Sequence, residues 1–153
     1  MIKILYFFLI IIFGVACSTN SSNESAVKIP IEGTWQLLSG TLIEKGDTVI
    51  TDYTKSISFI KIINQTHFSF LKHDLNKGKD STAVFEAGGG TYSLTDSTYT
   101  ENLDYCNARE WEGNAFKFAV NIHNDTLIQR GIEKIEKSGI NRLNIEKYVR
   151  VKR

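Results

Sequence analysis

The stretch AFKFAVNIH, residues 115–123, is followed by Asn124-Asp125 and then by TLIQRGIE, residues 126–133. Apolar side chains alternate with others along the first segment, which is the period of a β-strand. Asn and Asp tolerate positive φ, so Asn124-Asp125 predicts a tight turn between two antiparallel strands. The stretch therefore predicts a β-hairpin with one apolar face, made by Phe116, Phe118, Val120 and Ile122.

The same pattern occurs on both sides of this hairpin, from Ile31 to the C-terminal part of the chain. Short runs of β-branched, aromatic or alternating residues end in turn signals such as Lys45-Gly46-Asp47 and Gly88-Gly89-Gly90. Only residues 107–113 are a candidate for a short helix, inside a connection. About eight to ten strands at spacings of about ten residues predict an all-β antiparallel sandwich or barrel. The other predicted strands are 33–44, 48–51, 56–63, 67–74, 81–87, 91–95, 97–105 and 143–151.

The N-terminus has the features of an export signal. Lys3 precedes an apolar run from Ile4 to Phe13, and small residues then lead to Cys17. About ten strongly apolar residues are fewer than the roughly 20 that cross a bilayer, so a cleaved signal is favoured over a transmembrane anchor. The ending Gly14-Val15-Ala16-Cys17 resembles the bacterial lipobox, which implies that Cys17 is lipidated and becomes the first mature residue. A plain secretory signal with an Ala-type cleavage site is the alternative.

These features divide the chain into three parts. Residues 1–16 are predicted to be a lipoprotein signal peptide, 17–28 a flexible tether rich in Ser, Asn and Thr, and 29–153 one folded domain. The whole sequence has 18 Lys and Arg against 17 Asp and Glu, so no nucleic-acid partner is expected. With Cys17 lipidated, Cys106 has no intramolecular partner, and burial is its expected state.

The first predicted strand opens with Gly33-Thr34-Trp35-Gln36-Leu37, which resembles the Gly-X-Trp signature of lipocalins and fatty-acid-binding proteins. The resemblance implies an up-and-down β-barrel in which Trp35 plugs one end. It also implies that a basic residue of the last strand, Arg150 here, packs over the Trp35 ring. Such a contact stabilises by roughly 0.5 to 2 kcal/mol.

The middle of the chain is similar to a group of uncharacterised lipocalin-like lipoproteins of Bacteroidota. The similar segments are His67-Phe68, Ala87 to Leu94 and Tyr99 to Glu101. Ser18 stands where an Asp marks inner-membrane retention in enteric bacteria, so the resemblance implies an outer-membrane lipoprotein that faces the periplasm. The membrane contact would then be made through the N-terminal lipid.

One strand has an unusual polar pattern. In residues 97–105, Glu101 shares a face with aromatic side chains, so the face that points inward takes a carboxylate with it. A buried carboxylate needs a partner, and Arg130, on the face of Thr126, Ile128 and Ile132, is the expected one. The candidate cavity residues are Tyr92, Tyr99, Glu101, Tyr105, Phe116, Phe118 and Arg130.

Two functional interpretations stay open. If the barrel is hollow, it binds or carries a small hydrophobic or amphipathic ligand. If it is filled, the protein is a non-catalytic interaction or envelope-assembly module, and the connection 107–114 with Trp111 contacts a partner that the sequence does not identify. Trp111 discriminates between them, because an exposed Trp111 favours a partner and one folded over the mouth favours a ligand.

No enzyme, metal site or cofactor is expected. Glu101 as a general acid has no second catalytic group beside it, and no nucleophile elbow or phosphate-binding loop is present in the sequence. His67 and His73 share one strand but lie about 20 Å apart, too far to bind one ion. His123 precedes a turn and is interpreted as a strand-end residue.

Overall fold

The structure, a computed structural model, describes residues 29–152, which form nine antiparallel strands. The predicted signal peptide, lipidation site and tether lie outside these residues. Two 3₁₀ turns, Arg109–Trp111 and Glu136–Ser138, interrupt the connections, and no helix in the described range is long and apolar enough to cross a membrane. The strands are β1 (Gly33–Glu44), β2 (Asp47–Asp52), β3 (Ile57–Ile63), β4 (His67–Asp74), β5 (Phe85–Thr95), β6 (Thr98–Cys106), β7 (Asn114–His123), β8 (Thr126–Ile135) and β9 (Ile140–Arg150).

Pairing of the first strand with the last closes the sheet. β1 pairs with β9 along most of its length, so β1 and β3 to β9 form a closed barrel of eight strands. β1 pairs with β3 only over Gly33–Gln36, and its second half pairs with β2 instead. The predicted all-β antiparallel barrel is confirmed, and the hairpin of β7 and β8 turns at Asn124 and Asp125 as expected.

The glycine run is the main difference in strand boundaries. Gly88 to Gly90 was predicted to lie between strands, but it lies inside β5 and pairs with β4 and β6. Side chains there would meet neighbouring backbone, because a Cβ on Gly89 would lie 2.5 Å from the carbonyl oxygen of Phe68. These glycines therefore permit close strand packing rather than a turn.

One end of the barrel, here called the closed end, contains the start of β1, the end of β9 and the turns at 64–66, 96–97 and 124–125. Trp35 is fully buried there, and its Nε1 donates a hydrogen bond to the carbonyl oxygen of Ile31 at 2.8 Å. Arg150 Cζ lies 4.0 Å from the centroid of the Trp35 ring, so the contact predicted for this pair is present. The Arg150 guanidinium also donates to the carbonyl oxygens of Pro30 and Glu32, both at 2.6 Å.

The interior changes character along the barrel axis. Large apolar side chains fill the closed end, among them Ile31, Trp35, Leu127 and Tyr99. Toward the opposite end, here called the open end, buried inward positions carry charged or amide groups, and the connections 45–46, 75–84, 107–113 and 136–139 surround them. Buried polar groups need a hydrogen-bond partner or water, so they do not pack as closely as apolar side chains. The cavity lies at this polar end.

Candidate ligand-binding site

The open end of the barrel holds a cavity of about 450 Å³. This volume lies within the range of roughly 300 to 1,000 Å³ that is typical of small-molecule sites. Aromatic side chains make much of its wall, and the charged floor is built by β3, β6, β8 and β9. The aromatic wall residues are Tyr53, Phe59, Phe70, Trp111, Phe116 and Phe118.

Lys61 is the centre of the floor. Its side chain is almost wholly buried, and Nζ donates hydrogen bonds to Glu101 Oε1 at 2.7 Å and Gln129 Oε1 at 3.1 Å. Glu146 Oε2 lies 3.9 Å from the same nitrogen, and the ring of Tyr148 lies 5.3 Å away. The Lys61 ammonium group is therefore held by oxygen acceptors from three other strands.

The charges on this floor depend on one another. Burial alone lowers the pKa of Lys61, but the carboxylates of Glu101 and Glu146 outweigh that effect, so its pKa is raised and the amine stays protonated. Burial raises the pKa of Glu101, while Lys61 opposes this shift. Neither charge is stable there without the other, so the two form one buried ionic unit.

Tyr148 belongs to the floor, and Tyr99 lies beneath it on the closed-end side. The Tyr148 hydroxyl donates to Glu146 Oε2 at 2.8 Å, and burial with the nearby carboxylates raises the pKa of Tyr148. The Tyr99 hydroxyl is buried, and its ring shares the inward face of β6 with Glu101. Burial followed by the charge of Glu101 raises the pKa of Tyr99, so both phenols remain neutral donors.

A second polar group lies nearer the mouth. Glu133 accepts from Arg142 Nε and from Asn144 Nδ2, each at 2.7 Å, so both of its oxygens are bound. Arg142 Cζ lies 5.0 Å from the Trp111 ring centroid, and the Trp111 and Phe116 rings are 5.7 Å apart. Trp111 is half-buried in the cavity wall, so its connection folds over the mouth.

The opposite side of the mouth has a third ion pair. Lys72 Nζ lies 2.8 Å from Glu86 Oε1 and 5.9 Å from the Tyr53 ring centroid. Tyr53 packs edge-on against Phe59 at 5.7 Å between ring centroids, which places an aromatic side chain where β1 has separated from β3. The mouth thus pairs each of its cations with an acidic side chain and an aromatic ring.

The structure brings some predicted cavity residues together and places others elsewhere. Glu101, Phe116 and Phe118 line the cavity as predicted. Tyr92 and Tyr99 pack on each other, with ring centroids 5.2 Å apart, and the Tyr92 hydroxyl donates to the carbonyl of Asn64 in a closed-end turn. These two residues therefore lie below the floor.

Tyr105 was predicted to line the cavity, but 72 % of its surface is exposed. Leu103 pairs with Gly90 and Tyr105 pairs with the adjacent Gly89, so Asp104 is an extra residue in β6. This β-bulge shifts the side-chain alternation by one, which turns Tyr105 outward and Cys106 inward. The expected burial of Cys106 is confirmed, and burial raises the pKa of its thiol.

Arg130 was predicted to be the partner of Glu101, but it is exposed on the outer face of β8. Both faces of β8 carry apolar residues, so the apolar pattern does not decide its orientation. Pairing with β9 decides it, since Leu127 lies opposite the buried Tyr148 and Gln129 lies opposite Glu146. The inward face is consequently Leu127, Gln129, Glu133 and Ile135.

Lys61 and Glu146 were not among the predicted site residues, although the sequence contains a signal for Lys61. Lys61 shares the alternating face of Ile57, Phe59 and Ile63, where a charge inside an apolar strand indicates a buried partner. Glu146 stands in a charged segment and has no comparable signal. In residues 29–152, no group of three or more His, Cys, Asp or Glu side chains is arranged to hold a metal ion.

These features define a small antiparallel β-barrel with a hollow, polar-floored open end. No family model matches the chain, and no curated protein is similar to it in sequence. Among solved structures, it is similar to an uncharacterised protein from Bacteroides eggerthii at 15 % identity and a TM-score of 0.43. That match covers 78 % of this chain and 98 % of the other.

Proposed function

We propose that the protein binds a small amphipathic molecule in the cavity at the open end of its barrel. The observation that supports this most directly is the chemistry of the cavity, whose walls are aromatic and whose floor carries buried, partnered charges. Apolar walls with a few convergent polar groups are typical of sites that orient one guest. Binding or carriage is the proposed activity, and no catalytic step belongs to it.

The position of Trp111 favours this proposal over a protein-interaction module. Its ring packs on Phe116 and under Arg142, inside the cavity wall, rather than standing in solvent. A residue so placed contributes to a guest site at the mouth and offers little surface to a partner protein.

Blocking the mouth tests the proposal. Ala108 lines the cavity within the connection that carries Trp111, so Ala108→Trp should fill the entrance. We expect saturable fluorescence enhancement of the neutral probe N-phenyl-1-naphthylamine with the wild-type protein and at least a tenfold weaker response with Ala108→Trp.

Ala115→Trp is the matched control, because Ala115 is exposed on β7. It should bind the probe like the wild type. No saturable binding by the wild type, or equal binding by both tryptophan variants, would contradict the proposal.

The cell-envelope location is a second part of the proposal. It rests on the lipobox-like ending at Cys17 and on the tether composition, both outside the described residues. We propose an outer-membrane lipoprotein facing the periplasm, held by acyl chains on Cys17. Within the structure, Ile29 lies at the closed end, so a chain held from its N-terminal side keeps the cavity mouth on the far side of the barrel.

A further inference from the structure

The charges that line the cavity do not balance. Four carboxylates and three cationic side chains line it, and each cation has one close carboxylate partner. The remaining carboxylate is Glu146, whose nearest cation is Lys61 at 3.9 Å. Lys61 is already paired more closely with another acid, so the excess negative charge resides at Glu146. The three close pairs are Lys61–Glu101 at 2.7 Å, Arg142–Glu133 at 2.7 Å and Lys72–Glu86 at 2.8 Å.

Glu146 has one oxygen to offer a guest. Within residues 29–152, both its hydrogen bond from Tyr148 and its ion pair with Lys61 use Oε2. Its side chain is only 13 % exposed and lines the cavity, so Oε1 is an acceptor in a largely desolvated position. A buried carboxylate whose negative charge is not fully balanced by a nearby cation attracts a proton donor or a cation.

The cationic side chains of the site are already paired with protein carboxylates, and this argues against an anionic ligand. Lys61 Nζ donates hydrogen bonds to Glu101 and Gln129 and lies 3.9 Å from Glu146 Oε2. Arg142 is bound to Glu133 and stacked over Trp111. A carboxylate or sulfate headgroup would therefore have to displace a partner before it found a counter-charge.

Aromatic rings surround the same carboxylate. The ring of Tyr148 belongs to the floor beside Glu146, and Tyr53 and Phe59 form the adjacent wall. Tyr53 lies beside this carboxylate, because its ring would be 3.2 Å from a Cβ on Gly40, the residue of β1 that pairs with Glu146. Rings beside a carboxylate favour an ammonium group, through cation–ring attraction and charge-assisted hydrogen bonds.

We propose that the guest is a cationic amphiphile, with a protonated amine bound to Glu146 Oε1 and an apolar body against the aromatic wall. This inference rests on the proposed function, because it specifies the ligand class of the same cavity. The apolar body would contact Phe59, Phe116 and Phe118, and Trp111 would cover it at the mouth.

Three ligands of equal length separate the possibilities. Decylammonium, decan-1-ol and decanoate have ten carbons each and carry a cationic, a neutral and an anionic headgroup. Calorimetric titration of the purified full-length chain compares them below their micellar or solubility limits. We expect decylammonium to bind at least about tenfold more tightly than decan-1-ol, with decanoate the weakest.

A substitution assigns the preference to Glu146. Glu146→Gln keeps an oxygen acceptor for the Tyr148 hydroxyl but removes the charge, so the preference for decylammonium over decan-1-ol should fall at least about fivefold. The affinity for decan-1-ol should change less than about threefold, which shows that the cavity itself is intact. Glu136→Gln makes the same charge change on an exposed turn at the open end and should leave the preference as in the wild type.

The outcomes separate this inference from the proposed function. Binding of all three ligands without a cation preference, or a preference unchanged by Glu146→Gln, overturns the cationic guest and leaves a binding barrel. Tighter binding of decanoate overturns it as well. Binding of none of the three contradicts the proposed function itself.

Discussion

Lys61 is a buried cation on the floor of the cavity. It is a cation placed inside an apolar strand, and it is stabilised there only because Glu101, Gln129 and Glu146 come from three separate strands to meet it. An apolar side chain at this position would pack more simply but would leave those acceptors unpaired. The buried charge thus accompanies a cluster of polar groups on the floor of the cavity at the open end of the barrel.

We predict that Lys61→Met destabilises the protein by about 3 to 5 kcal/mol at pH 8, because it leaves Glu101 buried and unpaired. The double variant Lys61→Met with Glu101→Gln should cost much less, since both charges are gone. In the single variant the pKa of Glu101 is raised further above its unfolded value. Its stability should therefore rise as the pH falls through that raised pKa, as measured by denaturant melts at pH 8 and pH 5.

Arg130→Met is the control for this experiment. Arg130 is exposed, so its removal should change stability by less than about 0.5 kcal/mol. A large loss in Arg130→Met, or equal losses in the single and double variants at Lys61, would contradict the assigned pairing.

At the level of elements, β5 and β6 show how one inserted residue changes a site. The bulge at Asp104 is held by Thr91 N, which donates to Asp104 Oδ2 at 3.1 Å, and by the absence of a side chain at Gly90. A Cβ on Gly90 would overlap the carbonyl oxygen of Asn102, which is backbone and cannot move alone. The bulge and the glycine are consequently one structural unit that orients Tyr105 and Cys106.

We predict that Gly90→Ala destabilises the barrel by about 1 to 3 kcal/mol, because the paired strands must separate to admit the methyl group. Thermal or urea unfolding measures this loss. Ser93→Ala, at an exposed position of the same strand, should stay within about 0.5 kcal/mol of the wild type. If Gly90→Ala is as stable as Ser93→Ala, the close approach of the two strands is not a constraint.

For the whole molecule, the two ends of the barrel have different roles. The closed end is sealed by Trp35 and Arg150 and leads to the N-terminal segment, whereas the open end holds the cavity. A tether from Cys17 would join the sealed end to the membrane and leave the mouth accessible. Under the proposal, anchoring and binding would use opposite ends of one domain.

We predict that Cys17→Ser leaves an uncleaved precursor with no incorporated palmitate, because this thiol is the proposed site of acylation. Metabolic labelling with palmitate and the electrophoretic mobility of the protein measure this. Cys106→Ser is the control and should be labelled normally, since that thiol is buried in the domain. Normal processing and labelling of Cys17→Ser would contradict lipidation at this residue.

The sequence by itself determined the strand class and the inward direction of Glu101, because these follow from local alternation. The contact of Trp35 with Arg150 was implied by a resemblance to a known barrel signature, and the structure contains it. Only the tertiary structure decided that Lys61, rather than Arg130, meets Glu101, and that Tyr105 faces outward. The physical reason is that β8 carries apolar and polar residues on both faces and β6 contains a bulge. Register, rather than composition, therefore orients their side chains. The charge balance of the cavity likewise depends on residues from strands far apart in the chain, so it could not be predicted from local sequence patterns.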